Sequence, residues 1–448
     1  MSWKRAGWCK PGKVGRCSTI PRSRKSIWGW RDAGKPERRE KMKRRTFLQG
    51  SGALVLAGAA PSIAFGQENT ITFGGSVPMS GAAAETGLNV LQGYQCAVKY
   101  INEEKGGIEV GGNTYKLALN LFDDASDPSR ATTLIQRQVD EGVDFFLGSF
   151  GSNIVLPTCS ITEAAGRIMV QAGGGSDLIF TQGRKRVFGI FPRASRQFVS
   201  SVNMFTSLEP KVKSVSIMYT NDAFSEFQAK GARASLEEAG IKVLDYIALP
   251  VGVSDVSNVL TTIRENTPDI LVCTTHDQTS ILIARQMVSS DTNVPMLYQT
   301  LGPQTTAYKD ALGNYANGVV TQAYWTELAP YSGDYFGSAG DFAKYFRANF
   351  DRELTYHMAS GAACIVTYVE AVRRAGSLDR DAVRDALAAI DFECFYGRIR
   401  FTDDGDGDAA LLGPLLIQRQ NGELEVIAPP DGASAAPVYP APTWKERA

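Results

Sequence analysis

From Thr70 onward the chain alternates short apolar runs with stretches of helical period. Ile71 to Val77, Tyr115 to Phe122, Asp144 to Ser149 and Ile168 to Val170 read as strands, and Leu88 to Glu104 and Ile154 to Ala165 as helices. Between them, the helix capped by Asp127 carries Pro128 at its first position, where a missing N–H costs nothing, and an apolar face of Ala131, Leu134, Ile135 and Val139. Strands and helices in this order predict an α/β fold with a doubly wound parallel sheet. After Phe188 to Gln197 the order starts again, with strands Ser214 to Tyr219 and Lys242 to Leu249 and a helix Glu226 to Ala239. A further helix sets Val256, Val259, Leu260 and Ile263 on one face. Asp269 to Thr275 then copies the Asp144 strand, and His276-Asp277-Gln278 occupies the place of Gly151-Ser152-Asn153. The repeat predicts two similar lobes whose strand ends face each other across a ligand cleft that closes by a hinge motion.

The strand Phe145-Phe146-Leu147 is continuously apolar, as a strand buried on both faces should be, and the chain leaves its core at Gly148. Phe150, Gly151 and Ser152 follow at the start of a helix, and the cluster Gly173-Gly174-Gly175-Ser176 follows the next strand. Open α/β sheets bind ligands beyond the carboxyl ends of their strands. An ordinary turn capped by Ser152 is the competing reading, and the copy in the second half favours a cleft.

Past Gly318 the pattern changes. Gly340 to Asn349, Met358 to Ala375 and Arg380 to Ile390 read as helices, and Gly397 to Phe401 and Leu412 to Gln418 as strands. The loop Asp403-Asp404-Gly405-Asp406-Gly407-Asp408 superficially resembles a calcium loop but lacks the terminal glutamate and the spacing, so a solvated turn is expected. The tail 429–448, rich in Pro and Ala, is expected to lie extended on the surface.

Charge alters the picture at the amino end. The formal net charge is zero, yet residues 1–45 carry sixteen Lys or Arg against three Asp or Glu, which leaves 31 basic against 44 acidic residues for the rest. An acidic folded part argues against a nucleic-acid partner. Residues 1–41 show no period and read as disordered or untranslated. Residues 42–66 read as a cleaved export signal with Met42 as the start: Lys43-Arg44-Arg45-Thr46-Phe47-Leu48 matches the twin-arginine pattern, and an apolar core from Ala53 to Ala60 is too short to span a bilayer. The twin-arginine machinery is therefore an expected partner, and the product is expected free in the periplasm. Of the five later cysteines none forms a Cys-x-x-Cys pair, and there are two histidines, His276 and His357, so no metal site is expected. An odd cysteine count leaves at least one thiol free.

Enzyme chemistry finds little support. Neither histidine falls beside a Gly-x-Ser-x-Gly elbow, Gly148-Ser149-Phe150-Gly151 lacks the third glycine of a dinucleotide fingerprint, and no phosphate loop follows a strand. Neither catalysis nor a cofactor is expected, and a hydrolase is the remote alternative.

Several motifs together carry a family resemblance: Val77-Pro78-Met79-Ser80-Gly81, Gly93-Tyr94, Ile101-Asn102-Glu103, Gly106-Gly107-Ile108, Asp123 to Pro128, Gly142-Val143-Asp144, and Ala375-Gly376-Ser377 with Val383-Arg384 and Ala386-Leu387. In this order the chain resembles the leucine/isoleucine/valine-binding family, type I periplasmic substrate-binding proteins of ABC importers. The resemblance implies lobes of 70–191 with 323–396 and of 194–320 with 402–428, hinge crossings near Phe191-Pro192, Thr321-Gln322 and Tyr396 to Phe401, a monomer, a small-molecule ligand, and permease subunits in the inner membrane as partners. A sensor reporting to a receptor is the alternative. The family's ligand serine falls on Ser152 and its loop of ligand contacts on Gly173, Gly174, Gly175 and Ser176. Its aromatic cover falls on Thr86, and its second-lobe aromatics on Phe224 and His276. The segment that supplies an acidic partner for a ligand ammonium falls near Gln299-Thr300-Leu301, which holds no carboxylate, and Asp277 is the nearest one in sequence to an expected site residue. The family's first-lobe cysteine pair is replaced by Ser126 and Gly151. An ammonium without an anionic partner is costly to bury, so the expected ligand is a small organic or aromatic carboxylate or an amide, with Phe150 against its apolar body; an amino acid paired with Asp277 is the other option.

Overall fold

A computed structural model describes residues 69–448, so the expected signal and the segment before it lie outside the described residues. Two sheets carry the fold. The first has six strands in the spatial order Ile108–Val110, Asn113–Asp123, Asn69–Val77, Phe145–Leu147, Ile168–Gln171, Val187–Gly189. All its pairings are parallel except the antiparallel edge of Ile108–Val110 on Asn113–Asp123, which the sequence pattern did not indicate. Phe145, Phe146 and Leu147 are buried, as a strand covered on both faces requires.

The second sheet has seven strands in the order Glu423–Ala428, Leu415–Gln420, Val320–Ala323, Met296–Gln299, Ile270–Thr274, Ser214–Thr220, Lys242–Leu249. Its inner strands pair in parallel, and the late strands Leu415–Gln420 and Glu423–Ala428 add an antiparallel edge. Every residue of Ile270–Thr274 is buried.

The chain passes between the two layers three times, around residues 190–198, 324–338 and 401–414, because the late helices return to the first sheet. Helix Tyr356–Ala375 is buried along nearly its whole length. Its Tyr368 hydroxyl lies 2.8 Å from Phe146 O and 3.0 Å from Ile168 O and accepts from Val170 N at 3.2 Å, pinning the helix across two strands. It crosses Ala84–Glu103 at Gly93 and Gly361, where a side chain would come within 2.1 Å of Met358 O and 2.5 Å of Val90 O. Helix Pro128–Asp140 begins as the pattern predicts, with the Asp127 carboxylate accepting from Ser129 N and Arg130 N.

Two expectations fail. The acidic loop is not a solvated turn: Asp406 is fully buried, and it accepts from Arg193 N at 3.3 Å and from the Thr402 hydroxyl. Asp404 takes the Arg193 guanidinium at 3.2 Å, and Gly189 N and Gly407 N bond across to Gly405 O and Phe191 O. The carboxylates clamp one passage of the chain onto another, so their desolvation is offset by a cation and backbone donors. The tail also does more than drape the surface: its terminal helix Trp444–Arg447 buries Trp444, whose indole N–H donates to Thr292 O at 2.6 Å. All five cysteines among the described residues are buried and free, in keeping with the odd count. No helix among the described residues is long and apolar enough to cross a membrane, and no group of three or more His, Cys, Asp or Glu is placed to hold a metal.

Candidate functional site

A cavity of about 30 Å³ lies where the strand ends of the two sheets meet. Phe150, Ser152, Gly173 and Gly175 form its wall on the first sheet, and Phe224 and His276 face them from the second. The opposed layers touch: a side chain on Gly175 would come within 2.9 Å of the Phe224 ring, and the Thr86 hydroxyl donates to Asp277 Oδ2 at 2.8 Å. Thr86 and Asp277 each sit in the first turn of a helix, Ala84–Glu103 and Asp277–Ser289. The two sides of the cleft are therefore in direct contact beside the cavity.

Ser152 begins helix Ser152–Ala164 and is buried. Its Oγ accepts from Gly175 N at 3.1 Å and Ser176 N at 3.0 Å. A hydroxyl has two lone pairs and one proton. Both lone pairs are engaged, so what Ser152 can still offer the cavity is its O–H, as a donor. The remaining amides of the glycine cluster are engaged as well, because Gly173 N and Gly174 N donate to Gln171 Oε1 at 2.9 and 2.6 Å. The side chains of Ser152 and Gln171 thus take the four amides of this loop.

His276 lies at 3.5 Å from Asp222 through Nε2, and its ring centroid is 5.7 Å from that of Phe224. Burial opposes its charge, but the Asp222 carboxylate outweighs burial and raises the imidazole above its ordinary value of 6.5. Burial likewise opposes charge on Asp222, yet His276 and the amides of Ser225 and Phe224 hold that carboxyl down at about 2. The pair therefore favours the imidazolium beside its counter-ion, with Asp222 positioned by the turn before helix Ser225–Glu238. Asp277 behaves in the opposite way: burial raises its carboxyl, and Thr86 and His276 only moderate the effect. Its Oδ1 is buried with no partner in the protein.

The other expected residues fall elsewhere. Gln299 is fully buried, its amide donating to Ser280 O at 2.9 Å and its Oε1 accepting from Tyr308 at 2.7 Å. Thr300 donates to Gln228 Oε1 at 2.6 Å. Gly174 faces Val155 and Ile179, and Ser176 caps the short helix after it. These four do not line the cavity.

The third wall was missed. Phe191, Gln197 and Tyr324 come from the passages between layers and Gln322 from the strand Val320–Ala323, with Leu301 beside them. Gln197 is held in place, donating to Pro192 O at 2.6 Å and accepting from Gln228 at 3.0 Å and Gln322 at 3.3 Å. Tyr356 and His357, at the start of the long buried helix, complete the wall. Gln322 and Tyr324 sit at the end of a parallel strand, the same signal that singled out Ser152, whereas Tyr356 and His357 give no local signal. No carboxylate, Lys or Arg side chain lines the cavity.

A profile described as periplasmic binding protein matches residues 70–419. A Leu/Ile/Val-binding protein homolog 7 from Brucella melitensis is 25% identical over 409 residues, which span 87% of this chain and 97% of that relative. The solved structure of a leucine-binding protein, LivK, from Thermotoga maritima superposes with a TM-score of 0.69 at 22% identity, covering 81% of this chain and 99% of that one. A solute-binding protein from R. palustris in complex with benzoate gives a TM-score of 0.68 at 18% identity, covering 84% and 98%. These likenesses bear out the expected α/β class with its parallel-dominated sheets.

Proposed function

The chain belongs to the periplasmic binding protein family and is a substrate-binding protein of the branched-chain amino acid ABC-transporter type, and from that premise we propose that it captures a small carboxylate with an aromatic or apolar body and delivers it to a membrane permease. The lobes would be 70–191 with 323–396 and 194–320 with 402–428, acting as a monomer exported to the periplasm by the twin-arginine route. One observation carries the choice of ligand: the cavity is walled by Phe150, Phe191, Phe224, Leu301, Tyr324 and Tyr356, and no carboxylate lines it. An ammonium enclosed there would be buried without a counter-ion. A carboxylate suits the polar groups better, because Ser152 retains only its donor and Asp222 favours the protonated form of His276. A solved protein of similar fold in complex with benzoate supports this reading.

Binding without chemistry is the favoured mode. The Ser152 lone pairs are occupied by amides, which leaves the oxygen poorly disposed to attack a substrate. A second reading, an amino acid whose ammonium meets Asp277, draws support from the unpartnered Asp277 Oδ1.

A thermal-shift panel separates the two, since a ligand at a hundred times its Kd stabilises the closed form by about 2.7 kcal/mol. Benzoate and other amine-free aromatic carboxylates are expected to raise the midpoint by several degrees, with leucine giving none. A large shift with leucine and none with the amine-free carboxylates would overturn the proposal.

A further inference from the structure

Two side chains in the cavity carry polar groups that nothing in the protein satisfies. Tyr324 is 2% exposed and its hydroxyl has no hydrogen-bond partner; His357 is 2% exposed and its Nδ1 has none. Both line the cavity, on the wall that carries neither Ser152 nor His276. Neither can turn away to find water. The Tyr324 ring stacks on Phe191 at 4.9 Å and meets Tyr356 edge-on at 6.0 Å. The His357 ring stacks on Tyr356 at 3.9 Å and meets the edge of Phe150 at 5.5 Å. Buried polar groups are nearly always bonded, and exceptions held rigidly inside a binding cavity are understandable where the ligand supplies the partner.

We propose that the solute bears, in addition to its carboxylate, an uncharged hydroxyl that Tyr324 and His357 recognise. The two groups are matched to it. Burial pushes the Tyr324 phenol well above its ordinary range, so it remains a donor. Burial pushes His357 down to about 3, so it is a neutral imidazole with one N–H and one bare nitrogen. A hydroxyl accepts from one partner and donates to another, which is the pairing these two groups call for. A second carboxylate would find no cation on this wall, and an ammonium would find no anion. The proposal places the ends of the ligand: carboxylate toward Ser152 and His276, hydroxyl toward Tyr324 and His357. The orientation rests on the carboxylate reading above, whereas the hydroxyl recognition does not.

The test uses solute pairs that differ by one hydroxyl: benzoate and 4-hydroxybenzoate, 3-phenylpropionate and 3-(4-hydroxyphenyl)propionate, phenylalanine and tyrosine. Calorimetric affinities are measured on the full chain and on Tyr324→Phe, which keeps the ring and removes the orphan. In at least one pair the hydroxylated member is expected to bind the native protein tenfold tighter or more, and the ratio is expected to fall toward unity in Tyr324→Phe. Equal or tighter binding of the plain member in every pair, a ratio that survives in Tyr324→Phe, or no binding by any hydroxylated member would overturn the proposal. If only the amine-bearing pair binds, the carboxylate reading fails, while the tyrosine-to-phenylalanine ratio still decides the hydroxyl.

Discussion

Replacing Ser152 by alanine probes the cleft and the scaffold at once. The hydroxyl accepts from Gly175 N and Ser176 N, and its loss leaves both buried amides without an acceptor. Each unsatisfied buried group costs about 1–3 kcal/mol. A water molecule occupying the vacated space recovers part of this, so about 2 kcal/mol of destabilisation is expected. With an unfolding entropy of about 2.1 cal/mol/K per residue over residues 69–448, that corresponds to a fall in midpoint of roughly 2–3 °C in a thermal melt without ligand. The loop 173–176 also loses the tie that holds Gly175 against Phe224, so the second effect falls on binding. Loss of a hydrogen bond to a charged ligand group removes about 1.5–3 kcal/mol, or roughly 10- to 150-fold in affinity. A melt and a titration of the same preparation read both. An unchanged midpoint together with an unchanged affinity would refute the assignment of Ser152 as both anchor of the glycine loop and donor to the ligand.

Other consequences are open to measurement. The Thr86 to Asp277 bond joins the two sides of the cleft, so Thr86→Val and Asp277→Ala should each speed ligand release, and a double-mutant cycle should give a coupling of about 1–2 kcal/mol; additive effects would show that the bond does not hold the closed form. His276 is raised above 6.5 in the folded protein, so its pairing with Asp222 stabilises fully below that pH and is lost as pH climbs through the folded value; Asp222 contributes above 3.8 and loses its part only as pH falls toward 2. Stability and carboxylate affinity should therefore both decline on the alkaline side, and His276→Asn should remove that limb; an unaltered pH profile would contradict the pair. Trp444→Ala should cost about 3–5 kcal/mol by emptying a buried site under the second sheet, read as a lowered midpoint, whereas a purely superficial tail would show no change.

Much of this architecture was legible because it is local. The three apolar residues of Phe145–Leu147, the helix at Ser152 and their copy at Ile270–Thr274 declare parallel strands and the place where they end. The same logic named Phe150, Ser152 and His276, whereas Phe224 came from the family resemblance. What period and turn chemistry cannot show is which hydrogen-bonding groups are already spent. The glycine amides looked available until Gln171 folded back onto two of them and Ser152 onto one, with Ser176 N as its second donor. Gln299 and Thr300 stand at a strand end, as a site residue should, but Ser280, Tyr308 and Gln228 lie close enough to bond them inside the lobe. Conversely Tyr356 and His357 reach the cavity because the long helix crosses Ala84–Glu103 closely at Gly93 and Gly361, a contact between residues far apart in sequence. The acidic loop read as solvated because its partner, Arg193, lies two hundred residues away in the chain.

The central claim, that Ser152 and His276 hold a carboxylate whose body rests among the aromatic rings, is tested most directly by a crystal structure of the protein with the tightest-binding amine-free carboxylate. The account predicts one carboxylate oxygen within hydrogen-bond distance of Ser152 Oγ and the other of the His276 imidazole, with the body between Phe150 and Phe224. A solute lying outside this cavity, or one whose carboxylate points toward Tyr324 and His357, would contradict it.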